Sequence, residues 1–382
     1  MLNISKEDKV KKSLCYKNHY HSVTALKQYL ESFKNTKTQN HLASKPHITE
    51  QNNDKKNVTP KISIQNQGII SKQQSYLPVP LLMLAPLAGY SDVPFRKVVK
   101  DFGVDITVSE MISSHALVYD NTKTMKMTLK NQNEIPFALQ ISGSQESILK
   151  QAIEKINMLE WVDIIDFNCG CPAPKVANHG NGSALLKDLP KFVSLLQYIQ
   201  KHSTKKIHSV KVRLGFDKKI PIELAHAINE SGVDYCVVHA RTKTDCYKKE
   251  RIDYDSLASM KEILHIPLIA NGEIDSLETY QKVMQITNAD GAMIGRAALK
   301  SPWIFWQIRC NTKELPIILK RDLVLSHFDS MFEFYGDRGV IMFRKNLHSY
   351  AKGYKNSSKY KDFVNGEKNY YRIRESIQSF FA

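Results

Sequence analysis

Ile164-Ile165-Asp166-Phe167-Asn168-Cys169-Gly170-Cys171-Pro172 carries the pattern that decides the fold. A short strand-forming run, Ile164–Asn168, passes directly into a turn that holds a glycine, a proline and two thiols. Branched and aromatic side chains favour the pleated strand, and Gly and Pro end it. The same change from apolar run to polar or special residue recurs along the chain. Strand candidates in order are Leu81–Ala85, Asp105–Ser109, Phe137–Ile141, Ile164–Asn168, Ser209–Arg213, Tyr235–His239, Leu268–Ala270 and Gly291–Ile294. Between most of them lie segments with helical periodicity: Gln145–Leu159, Leu189–His202, Ile222–Ser231, Tyr254–Leu264 and Leu277–Gln285. Ser144, Asp188 and Ser276 stand where helix N-caps belong.

Eight strands with intervening helices predict a (β/α)₈ TIM barrel, which typically takes about 250 residues. A doubly wound open sheet is the alternative. No Gly-x-Gly-x-x-Gly follows an early strand, which argues against it. A barrel places its site at the C-terminal ends of the strands. Those ends read Ala85-Pro86-Leu87-Ala88-Gly89, Glu110-Met111, Gln140, Asn168 to Pro172, Lys211 with Arg213, His239-Ala240-Arg241, Asn271-Gly272-Glu273 and Gly295-Arg296. One lysine at a strand end is ordinarily surface charge. Eight polar or special endings on one rim argue against that reading. Barrels often bind phosphate after the last two strands. Gly272 and Gly295 allow backbone N–H groups to approach an anion there, and Arg296 adds a cation.

Outside residues 77–311 the texture differs. Residues 1–76 form a polar, Lys-rich extension, in which only His21–Phe33 has helical spacing, through Val23, Leu26, Tyr29, Leu30 and Phe33. Asn35–Gln74 has the composition of a disordered segment. Residues 312–382 read as a helical domain, with Asp322–Tyr335, Val340–Tyr350 and Asn369–Phe380 as its helices. The net charge is +16. Residues 1–75 hold thirteen Lys against five acids, and residues 313–382 hold thirteen cations against eight acids. Basic flanks on a near-neutral body suit an anionic polymer such as RNA. A solvated Lys-rich surface is the plainer explanation. The six Cys form neither a disulfide framework nor a CxxC metal pair, so a reduced, cytoplasmic and metal-free protein is expected; a monomer is expected as well. No apolar stretch approaches twenty residues, so no membrane association is expected.

Residues 82 to about 310 resemble the tRNA-dihydrouridine synthase family, in its bacterial B-type-like branch. The resemblance rests on three sets of residues. The first is Ala85-Pro-Leu-Ala-Gly-Tyr-Ser-Asp-Val-Pro-Phe-Arg96. The second is Asn168-Cys-Gly-Cys-Pro172, continuing through Val176, Gly180 and Gly182 to Leu185-Leu186. The third comprises Gln140, Val210-Lys211-Val212-Arg213, His239-Ala240-Arg241, Asn271-Gly272 and Gly295-Arg296.

The resemblance implies an FMN enzyme recharged by NADPH (or NADH) that reduces the C5=C6 bond of uridines in tRNA. It implies that Pro86, Leu87 and Ala88 line the flavin and that Gln140 bonds its polar edge. Lys211 and His239 would lie near the reduced ring. Asn271, Gly272, Glu273, Gly295 and Arg296 would hold the phosphate. Asn168, Arg213 and Arg241 would meet the target base, and Arg344 and Lys345 of the basic helical domain would meet tRNA. Cys171 matches the proton donor, and a thiol is mostly protonated at neutral pH. Cys169 reads as a small residue behind the loop. The chain departs from the family at Lys249-Glu250-Arg251-Ile252-Asp253-Tyr254, where Gly-x-Ala-x-Trp is usual, and at Asn346, where His is frequent. Two rivals remain: a flavin barrel for free pyrimidines, like the dihydroorotate dehydrogenases, and a non-catalytic tRNA-binding barrel.

Overall fold

In the computed structural model, residues 24, 26–31, 80–119 and 121–382 are described. The strands are β1 (Leu81–Leu84), β2 (Thr107–Val108), β3 (Ile112–Ser113), β4 (Phe137–Ser142), β5 (Ile164–Cys169), β6 (Ile207–Arg213), β7 (Tyr235–His239), β8 (Leu268–Asn271) and β9 (Gly291–Ile294). All pair in parallel in the order β1-β9-β8-β7-β6-β5-β4-β2, with β3 also on β4. A parallel bridge from Met83 to Ile106 joins the two ends of that order. The result is the expected eight-stave barrel, with its second stave split into β2 and β3. The split falls at Ser109, whose hydroxyl accepts the Gln140 N–H at 2.9 Å. Arg309 reinforces the closing seam. It donates to Gly103 O and Pro80 O, both at 3.2 Å, and pairs with the Asp105 carboxylate.

The helices on the outside are α1 (Val93–Asp101), α2 (Glu146–Asn157), α3 (Leu189–His202), α4 (Pro221–Ser231), α5 (Tyr254–Ile263) and α6 (Leu277–Thr287). Asp188 caps α3 by accepting from Lys191 N, and Ser276 caps α6 in a reciprocal box with Thr279. Ser144 does not cap α2. The helix starts one residue later, and Gln145 occupies the N-cap without a side-chain bond.

Period-two alternation divides the strand side chains between two cores. Leu82, Leu139, Phe167, Val210, Val212, Val238 and Ala270 face the helices in one cluster. Leu81, Met83, Ala138, Ile164, Ile207, Val237, Ile269 and Met293 fill the barrel interior in another. Leu26 and Leu30, both fully buried, belong to that interior cluster. The helical residues 26–31 of the extension therefore pack against the barrel filling, and Lys27 Nζ bonds Lys206 O at 2.6 Å. Sequence spacing found this helix but not its destination. Val23, Phe33 and the stretch Asn35–Gln74 lie outside the described residues.

After β9 come the short α7 (Arg296–Lys300) and α8 (Ile304–Arg309), then α9 (Ile317–Tyr335), α10 (Asp337–Tyr350), α11 (Ser357–Gly366) and α12 (Tyr370–Phe380). The Ser357–Gly366 helix was not expected. It buries only Tyr360 and Val364, too few apolar positions to show a period. The turn at Gly336 folds α10 back on α9, and a Cβ on Gly339 would lie 2.1 Å from Met331 O. Only glycine permits that close crossing. The core of these helices includes Val98 of α1, Phe102 just after it, and Trp303 and Trp306 beside the barrel. Among the described residues no helix is long and apolar enough to cross a membrane.

Truncating Leu30 would remove a fully buried side chain from the barrel filling. Leu30→Ala is expected to cost about 2–5 kcal/mol, read as a lower midpoint in chemical denaturation. An unchanged midpoint would show that this segment does not pack there.

Candidate active site

Inside the barrel the filling changes character toward the C-terminal end of the strands. Along β6 the inward series runs Ile207, Ser209, Lys211, Arg213, and along β5 it runs Ile164, Asp166, Asn168. Gln140, Asp166 and Ser209 are neighbours across three staves. Asp166 accepts from Gln140 Nε2 at 2.6 Å and from Ser209 Oγ at 2.7 Å. Burial nonetheless raises its carboxyl pKa. One step higher, Asn168 lies beside Lys211.

Above this polar layer opens a cavity of about 790 Å³, within the range of small-molecule sites. Its wall includes Pro86, Leu87, Ala88, Gln140, Asn168, Cys171, Lys211, Arg213, His239, Asn271, Gly272, Glu273, Gly295, Arg296 and Lys345. Two residues singled out from sequence are elsewhere. Arg241 is fully buried off the cavity, where it donates to Lys248 O and to Glu273, each at 2.8 Å. A direct contact with a substrate base is therefore corrected to support of Glu273. Arg344 donates to Glu367 O at 2.8 Å and does not line the cavity.

The two thiols of the Asn168–Pro172 turn have separate environments. Cys169 is fully buried at the end of β5, and burial pushes its thiol well up. Cys171 lines the cavity. Asn168 Oδ1 sets the turn by accepting from Gly170 N at 3.2 Å and Cys171 N at 2.9 Å. Its Nδ2 donates to Gln140 Oε1 at 2.8 Å. From the far side, Ser183 Oγ donates to Cys171 O at 2.8 Å. A Cβ on Gly182, where φ is +58°, would come within 3.1 Å of Cys171 Cβ. This explains why the Gly180–Leu186 stretch belongs to the same sequence signature.

Arg213 joins the Cys171 turn to the loop after β7. It donates to Gly170 O at 2.8 Å, Thr242 O at 2.9 Å and Cys246 O at 3.2 Å. Lys211 Nζ reaches Asn271 Oδ1 at 3.0 Å. Burial, helped by the Arg213 cation, brings the Lys211 ammonium down to about 8. Burial also drives His239 well below its usual value, and the cations of Arg213, Lys211, Arg241 and Arg296 add to the effect. His239 is therefore neutral at physiological pH. Its Nδ1 is buried without a hydrogen-bond partner.

Glu273, in the left-handed region at φ +47°, accepts from Arg241 and from Arg296. Partial burial raises its carboxyl, but the two guanidiniums outweigh this and hold it below the ordinary carboxylate range. An ionised carboxylate repels a phosphate, so Glu273 serves as an anchor for Arg296 and not as an anion ligand. Sequence reading did not place Tyr90, Tyr247 or Ser349 on the wall, named Asn346 only as a departure from the family pattern, and had Met111 among the strand ends. Tyr247 precedes a loop that departs from the family pattern. Asn346 and Ser349 arrive from α10, which nothing local in the sequence aligns with the barrel mouth.

The profile of the family described as dihydrouridine synthase matches residues 83–378. The chain belongs to that family. A probable tRNA-dihydrouridine synthase of Helicobacter pylori is 64% identical over 300 residues, covering 78% of this chain and 92% of that protein. One of Rickettsia conorii is 33% identical, covering 79% and 93%. The tRNA-dihydrouridine synthase B of Pseudomonas syringae pv. tomato is 36% identical over 278 residues, covering 70% and 82%. As a dihydrouridine synthase family member the chain is an oxidoreductase.

Arg213→Ala would leave three carbonyls of this site without their donor. At about 1–3 kcal/mol for the buried Thr242 carbonyl, with less from the two part-buried ones, the loss is expected to be at least about 1 kcal/mol in urea denaturation. A loss below about 1 kcal/mol would show that the two loops hold themselves.

Proposed function

We propose that the chain is an FMN-dependent tRNA-dihydrouridine synthase, driven by NADPH or NADH, that reduces the C5=C6 bond of uridines in tRNA. One observation carries the reading: Cys171 shares a cavity with a cation-rich floor formed by Lys211, Arg213 and Arg296. The lining fits FMN, which is anionic at one end and planar at the other. Pro86, Leu87 and Ala88 offer an apolar wall, and Gln140 and Asn168 offer amides. His239 brings an unpartnered buried nitrogen. Gly272 and Gly295 leave backbone accessible beside Arg296. When bound, FMN would supply the hydride that this chain's side chains cannot.

The residues of the chain do the rest. Lys211 offers positive charge to the polar edge of the ring, and Asn271 holds its ammonium in place. Neutral His239 donates or accepts a hydrogen bond without adding a further cation. Arg296, oriented by Glu273, pairs with the phosphate. Cys171 gives the proton from Sγ to C5 of the uracil, and Asn168 keeps the thiol loop in position. A paired or stacked uridine must leave its stack to enter, at a cost of a few kcal/mol. Lys345 stands at the mouth to meet the RNA backbone. The contribution of α10 to the wall favours an RNA substrate over a free pyrimidine, which would not need it.

Cys171→Ala is expected to retain FMN while dihydrouridine formation in tRNA transcripts falls by about 10²–10⁴, the usual worth of a general acid. Turnover at the parent rate would remove Cys171 from the reaction. Arg296→Ala is expected to weaken FMN binding at least about tenfold, through loss of a charge-assisted contact. A mutant that purifies with a full complement of flavin would exclude a phosphate contact at Arg296.

A further inference from the structure

Two tyrosines at the mouth of the cavity are built in the same way. Tyr247 is 55% exposed and lines the cavity. Arg213 donates to the carbonyl of Cys246, the preceding residue, and its guanidinium lies 5.7 Å from the Tyr247 ring centroid. Arg296 lies 5.1 Å from the same ring. Tyr90 is 38% exposed and also lines the cavity. Lys345 donates to the carbonyl of Gly89, again the preceding residue, and lies 4.0 Å from the Tyr90 ring centroid. In each case one cation fixes the backbone just before the tyrosine and also touches its ring.

The two rings follow β1 and β7, three places apart in the eight-stave order, so they approach the opening from different sides. Large aromatic side chains ordinarily bury their faces. These two are held at the surface by cations that also belong to the site. Aromatic faces interleaved with cations suit an unpaired nucleic-acid strand, whose bases stack on the rings while its phosphates meet the charges.

We propose that Tyr90 and Tyr247 are stacking platforms for the unpaired bases on either side of the uridine that enters the cavity. The proposal rests on the tRNA reading given above. The platforms stabilise the splayed strand and so offset the unstacking of the target base. Stacking needs the ring and not the hydroxyl, so phenylalanine substitutes and alanine does not.

The test uses the full chain with FMN and unmodified tRNA transcripts, and measures KM and kcat for dihydrouridine formation. Tyr90→Ala and Tyr247→Ala are each expected to raise KM for tRNA by about fivefold or more. Tyr90→Phe and Tyr247→Phe are expected to remain within about twofold of the parent. The proposal is overturned if the alanine variants keep the parent KM, or if phenylalanine fails as alanine does. It is also overturned if KM rises for NADPH and not for tRNA, because the rings would then serve the reductant. Thermal midpoints of the four variants identify any that lose the fold, and the phenylalanine pair then decides. If the parent protein itself forms no dihydrouridine, the underlying functional reading fails, an outcome distinct from failure of the platforms alone.

Discussion

The guanidinium of Arg213 holds the chemistry and the entrance in one frame. It bonds the carbonyl beside Cys171 and two carbonyls of the loop that carries Tyr247. A planar fork of donors can satisfy three acceptors at fixed angles, which a lysine at the same place cannot do. Removing a cation from water is costly unless its donors are paired, and here Nε and Nη1 pair with the three carbonyls. Burial depresses the neighbouring Lys211 and His239, and the same charge adds to the effect. Arg213 therefore sets the geometry of the loops, and its charge adds to the burial that lowers Lys211 and His239.

The rest of the site depends on how the strands divide their faces. A single inward series runs from Ile207 at one end of β6 to Lys211 and Arg213 at the other. The apolar end makes the filling that closes the barrel, and the polar end faces the cavity. Glu273 keeps this cationic rim from repelling itself, since its carboxylate lies between Arg241 and Arg296.

Most of this was legible from sequence because it is local to single strands. Alternation within five or six residues separates inward from outward positions, and a polar residue at the end of a run marks the rim. Cys169 and Cys171 are two residues apart, yet only Cys171 reaches the cavity, and the placement of Cys169 behind the loop agrees with its complete burial. Two arginines gain partners that sequence reading did not name, and one helix start shifts locally. Arg241 has the residue type and position of a ligand, but Glu273 and Lys248 O take its guanidinium. Arg344 is adjacent to Lys345, yet the helix turns it toward Glu367 O. Ser144 has the chemistry of a cap, but its helix begins one residue further on.

The buried pair Leu26 and Leu30 has a consequence for biosynthesis. They share a cluster with side chains from β1 through to Met293 on β9. A ribosome emits this early segment more than 250 residues before the last member of that cluster exists. Contacts so far apart in the chain form late in folding. The N-terminal helix thus records the completion of the barrel, and its docking is a natural marker for the final step of maturation.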